Sequence, residues 1–239
     1  LQQRLEALGK QLGIGALITH TEIMRSPLIC AMFPALVDAA HTIGAVQTRN
    51  LGTLGGNLVT GVPSMDSGPT LIALEALVTV AATTGRRQIP LVEFFVGPRK
   101  TILKPDELLV EIVIPKRNLG KPAHFLKSGL RKGQALALVN AAASLWVDWD
   151  KHVFVAPRIA LGAVAPTVIR TLQAEAYLEG RAITPEAMAE AGRIAVGDAK
   201  PISDFRASAE YRRDLIAVLT KRALENAYAQ AKAKRNKET

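Results

Sequence analysis

This 239-residue chain has one cysteine, 5% aromatic residues and no long apolar run. A single thiol, Cys30, can form no internal disulfide, no thiolate metal cage and no iron–sulfur cluster within the chain; its expected role is that of a small buried apolar group. No stretch reaches the roughly 18 to 20 apolar residues of a membrane-spanning helix, and no basic-then-apolar leader opens the sequence, so a cytoplasmic protein without a membrane span is expected. The motifs HExxH, GxSxG and GxxxxGK[ST] are all missing. The four histidines, His20, His41, His124 and His152, stand far apart without ligand spacing, which points to surface or core roles and to no metal site. Chemistry that depends on a compact local motif is unsupported; binding a cofactor that brings its own chemistry remains open.

What the chain does have is length for a substantial core, 49% apolar residues and a formal charge of +9. The cations lie in short pairs (Arg86-Arg87, Arg99-Lys100, Arg131-Lys132, Arg212-Arg213) and near the C-terminus. They lack the interleaved aromatics of a single-strand binder, so nucleic acid is not an expected partner, and a solvated face or a docking surface for acidic subunits is simpler.

The segment Thr48-Arg49-Asn50-Leu51-Gly52-Thr53-Leu54-Gly55-Gly56-Asn57 sets three glycines within five residues, followed by Pro63-Ser64-Met65-Asp66. Glycines permit positive φ and leave amides uncovered, so this loop is expected to cradle an anion such as a phosphate; clustered glycines also make plain turns. Before it, residues 2–12 have helical periodicity, Thr19 or Thr21 caps a brief helix stopped by Pro27, and Pro34 opens another. After it come a buried helix over 70–76, a hairpin over 77–90, a loop at 94–100 and a strand over 107–114. Residues 115–122 have linker composition. Beyond them strands are expected near 123–131, 136–148 and 153–164, then helices at 171–179, 185–196 and 206–231, with the last eight residues disordered. The overall class is α+β.

The runs TRNLGTLGGNL, PSMDS and FFVGPRKTILKPDELLVEIVIP resemble the FAD-binding domain of the molybdenum hydroxylases, the group that includes xanthine dehydrogenase and aerobic carbon monoxide dehydrogenase. VNAAASLW, RIALGAVAPTVIR and PISDFRASAEYRRDL resemble the same family's flavoprotein C-terminal domain. The resemblance implies a medium subunit whose FAD takes electrons from a small subunit carrying [2Fe–2S] clusters, beside a large molybdopterin subunit, and passes them to NAD, oxygen or a quinone. The alternative is a non-catalytic scaffold that docks these partners without flavin. The implied fold is a vanillyl-alcohol-oxidase-like FAD-binding domain lacking its first subdomain (1–115), then a C-terminal domain of a three-stranded antiparallel sheet and three helices (122–231), and a basic tail (232–239). The absent subdomain carries an AGGTD-like loop, expected from an upstream segment or another chain. By the same resemblance Thr53, Gly55, Gly56 and Asn57 meet the FAD pyrophosphate, Asp66 faces the ribose or polar linker, and Ile43 packs where relatives place an aromatic against adenine. Leu109 packs on a cofactor ring or serves as strand core, and Lys127 lies beside the cofactor or on the surface. No catalytic residue is assigned.

Overall fold

The computed structural model describes residues 5–8 and 11–238, with side-chain surroundings from 11 to 236. The segment expected to be helical over 2–12 forms strands wherever it is described: β1 (Leu5–Leu8) and β2 (Gln11–Gly15), with 2–4, 9 and 10 outside the described residues. Sheet pairing overrides the helical period. Leu12 and Ile14 pair with Ile114 and Ile112 and become fully buried, whereas Gly13 between them is a poor helix residue.

Six short helices follow: α1 (His20–Arg25), α2 (Pro27–Met32), α3 (Pro34–Thr42), α4 (Val46–Leu51), α5 (Leu54–Thr60) and α6 (Ser67–Ala73). A capping box between Thr19 and Glu22 starts α1, and Pro27 both ends it and opens α2 at a position where a missing N–H costs nothing. Cys30, expected to be buried, lies on the exposed side of α2. The hairpin β3 (Leu77–Ala82) and β4 (Gly85–Pro90) is where the alternation placed it. After α7 (Leu91–Phe94), the expected loop is a small hairpin, β5 (Phe95–Gly97) and β6 (Lys100–Thr101), leading to β7 (Leu108–Pro115). The first sheet runs β1-β2-β7-β3-β4, antiparallel throughout.

A single 3-10 turn, Lys116–Asn118, leads to the second sheet: β8 (Ala123–Gly129), β9 (Ala137–Asp148), β10 (Val153–Gly162) and the two-residue β11 (Ile169–Arg170), in the order β11-β10-β9-β8. The three long strands match the expected three-stranded antiparallel sheet, with β11 a short addition at its edge. Three helices close the chain, α8 (Leu172–Leu178), α9 (Pro185–Asp198) and α10 (Ala209–Glu238). The last eight residues, expected to be disordered, continue α10 as far as Glu238. Among the described residues no helix is long and apolar enough to cross a membrane.

The second sheet is buried on both faces, and the two-residue period of β9 sorts them. Val139, Ala141, Ala143 and Leu145 point into the core formed with α8, α9 and α10. Ala142 joins the other core, beneath α3 and α6, while its same-face neighbours Asn140 and Ser144 bond to the carbonyls of Met65 and Ala73. A latch of charges adds to this junction. Glu75, just beyond α6, accepts from Arg117, Asn118 and Arg158. Burial works against ionised Glu75, but these donors outweigh it and hold the group at about 2.

Candidate cofactor site

The glycine segment is not an open loop. It is two short helices, α4 and α5, joined by Gly52 and Thr53. The amides expected to converge on an anion already have partners: Leu54 and Gly55 donate to the carbonyls of Ile18 and Ala16, Gly56 to Thr53 Oγ1 at 3.0 Å, and Asn57 to the Thr53 carbonyl. The bare-amide cradle is therefore corrected, and the reason is helix formation: an N-cap threonine and a tight approach to the end of β2 consume the donors. The glycines serve that approach. A Cβ on Gly55 would sit 2.7 Å from Ala16 Cβ and 2.8 Å from its carbonyl oxygen. Gly56 is exposed, and the Thr53 hydroxyl, although it accepts from Gly56, keeps its own hydrogen to donate.

Other expected site residues meet in a cavity of about 300 Å³. Ile43, which caps α3, Asn57 of α5 and Asp66, directly before α6, line it together with Gly44, Thr60, Ser64 and Met65. The Ser67 hydroxyl donates to Asn57 Oδ1 at 2.6 Å, fixing the carboxamide and leaving its NH₂ as the group it can offer. Lys127, from β8, bonds Asp66 Oδ2 at 2.5 Å and the Thr42 carbonyl at 3.2 Å. It lines an adjoining cavity of about 340 Å³ with Thr42, Arg131, Lys132 and Ala135. Leu109 is half-buried in β7, packed on the first core, and lines neither cavity.

Asp66 is 6% exposed. Burial pushes its carboxyl up, opposed by the Lys127 charge and by hydrogen bonds from Lys127, Asn140 and Thr42. Asn140, fully buried in β9, donates to Asp66 Oδ1 at 3.0 Å and to the Met65 carbonyl at 3.0 Å. Sequence reading missed Asn140, although it is a polar residue inside the apolar run LVNAAASL, and such interruptions of a two-sided buried strand mark bonded contacts. An apolar wall at Ile43, a carboxamide donor and a carboxylate acceptor in one cleft fit a polyhydroxylated part of a dinucleotide cofactor. Among the described residues no group of His, Cys, Asp or Glu is arranged to hold a metal ion.

Residues 2–117 match the family model described as the FAD binding domain in molybdopterin dehydrogenase, and residues 124–227 match that of the CO dehydrogenase flavoprotein C-terminal domain. The chain is 33% identical to the carbon monoxide dehydrogenase medium chain of Hydrogenophaga pseudoflava, covering 92% of this chain and 76% of that protein. It is 32% identical to the xanthine dehydrogenase FAD-binding subunit of Escherichia coli O157:H7, covering 93% and 76%. Its fold superposes on the carbon monoxide dehydrogenase of Hydrogenophaga pseudoflava that lacks the Mo-pyranopterin moiety with a TM-score of 0.90, over 95% of this chain and 78% of that one, at 33% identity.

Proposed function

The chain belongs to the FAD-binding subunits of the molybdopterin dehydrogenases, carrying their FAD-binding domain followed by their flavoprotein C-terminal domain, and on that premise we propose that it relays electrons through FAD. The electrons come from [2Fe–2S] clusters of a small partner subunit, downstream of a large molybdopterin subunit, and leave to NAD, oxygen or a quinone. FAD, when bound, supplies a centre that accepts electrons singly and releases them in pairs. The subunit works in the cytoplasm.

The observation that carries this reading to particular residues is the cavity shared by Ile43, Asn57 and Asp66. In the proposal the Asp66 carboxylate accepts from a ribose or linker hydroxyl, the Asn57 amide donates, and Ile43 supplies an apolar face. Thr53 offers its hydroxyl to the pyrophosphate beside the exposed Gly56, Gly55 lets α5 close on β2, and Lys127 acts by holding Asp66. Leu109 contributes from β7, outside the cavity. Purifying the complex, extracting its cofactor and reading the flavin absorbance tests the proposal. Stoichiometric FAD that falls below about half occupancy in Asp66→Leu is the expected result, given the ~1–3 kcal/mol of a lost bond in a buried site. A complex without flavin sinks it.

The engaged amides of α5 favour one competing reading, a scaffold that docks the other subunits and holds no flavin. That reading predicts molybdenum and iron in the complex with no flavin at all, so the same extraction separates the two.

A further inference from the structure

The acidic member of the cavity is held largely by the other half of the chain. Of the two Asp66 oxygens, Oδ1 accepts from Asn140 of β9 and Oδ2 from Lys127 of β8, both on the second sheet. The same sheet grips the loop before it. Asn140 donates to the Met65 carbonyl, and the amide of Ala163, just past β10, donates to the Pro63 carbonyl at 2.8 Å. A Cβ on Gly162 would stand 2.2 Å from Asn140 Oδ1 and 3.2 Å from the Pro63 carbonyl, so glycine in β10 is what admits the carboxamide against the loop. Among the described residues Asn140 Oδ1 meets no hydrogen-bond donor, so the carboxamide is placed for what its NH₂ does. That NH₂ makes two bonds, one to the backbone that presents Asp66 and one to the carboxylate itself.

We infer that Asn140 is a positioning residue for the cofactor: it lines neither cavity, and from the C-terminal domain it fixes the Asp66 carboxylate as the acceptor presented to the ligand. The inference rests on the reading of the cavity as a flavin-dinucleotide site and deepens it, because affinity in a cavity walled largely by the first domain becomes a property of the second domain's register. Three side chains bond the carboxylate: Thr42 from α3, Lys127 from β8 and Asn140 from β9, and among these only Lys127 is charged. Removing a donor from the ionised form makes that form less favourable, so loss of Asn140 shifts Asp66 protonation toward higher pH.

The test is FAD rebinding to the flavin-depleted complex, followed by quenching of flavin fluorescence between pH 5 and 8, with thermal melts of each variant alongside. Asn140→Ala is expected to weaken FAD about ten-fold at neutral pH, the scale of a lost buried bond to a charged group. It is also expected to move the acid fall-off of affinity to higher pH. In an Asp66→Asn background the same change is expected to add less than about two-fold, since the two residues then have no charge-assisted bond to lose. Asn140→Ser, which keeps a hydroxyl but cannot reach both acceptors, covers the case in which Asn140→Ala does not fold. A purely structural Asn140 would lower the melting temperature but leave the pH fall-off in place and act equally in both backgrounds, and that result overturns the inference. If the unaltered complex binds no FAD, the flavin reading itself falls, and the inference with it.

Discussion

Gly55 and His20 show how little of a residue's role is visible without its neighbours. Gly55 reads in the sequence as a phosphate-loop glycine; its neighbours are Ala16 Cβ and the Ala16 carbonyl. Alanine gains up to ~1 kcal/mol of helix propensity over glycine, but forcing a methyl against backbone costs ~1–3 kcal/mol. Gly55→Ala is therefore expected to lose about 1–2 kcal/mol in urea unfolding, and to loosen α5. His20, the first residue of α1, is buried; burial first, and Arg49 second, lower it from 6.5 to about 4. Because the unfolded chain then binds the proton more readily than the folded one, His20 favours the folded state fully above pH 6.5, and that contribution is lost as pH falls toward 4. Replacing it by leucine is expected to flatten the stability profile across that window by about 2 kcal/mol in chemical denaturation. Asp66 and Lys127 stand out in the sequence only through family resemblance. Their bond to each other, and Asn140 behind them, depends on strand register across 61 and 74 residues, which no local pattern encodes.

Helices and strands are legible to different degrees for physical reasons. The hairpin, β8 to β10 and the last three helices follow from alternation, turn residues and caps, signals that survive because the local preference agrees with the packing. The opening strands are not legible, since their partner β7 lies about 100 residues downstream. Two element-level outcomes are expected. Gly197, inside α9 with open space where a methyl would stand, should accept alanine with a gain of about 0.5–1 kcal/mol in thermal or urea unfolding. The latch at the end of α6 should govern acid sensitivity. Glu75 is depressed from 4.5 to about 2, so the stability it contributes is present above pH 4.5 and disappears as pH falls toward 2. Glu75→Gln should remove about 2 kcal/mol at neutral pH and make the remaining stability less sensitive to pH over that range.

At the scale of the molecule, both hydrophobic cores share one sheet, with alternate residues of β9 assigned to each. Unfolding is expected to be a single transition. Trp146 and Trp149 lie in the second half, so tryptophan fluorescence follows that half while far-ultraviolet circular dichroism follows both. Coincident curves are the expected result, and separated midpoints would show that the halves melt independently. The shared sheet also sets what the gene can tolerate. Cutting the chain at the Lys116–Asn118 turn would expose an apolar face on each piece, so neither should persist as an independent module or transfer alone into another protein. Made together, the two pieces should instead find each other through β9 and behave as complementing fragments, which makes that turn a natural place to divide the protein for a reporter of assembly.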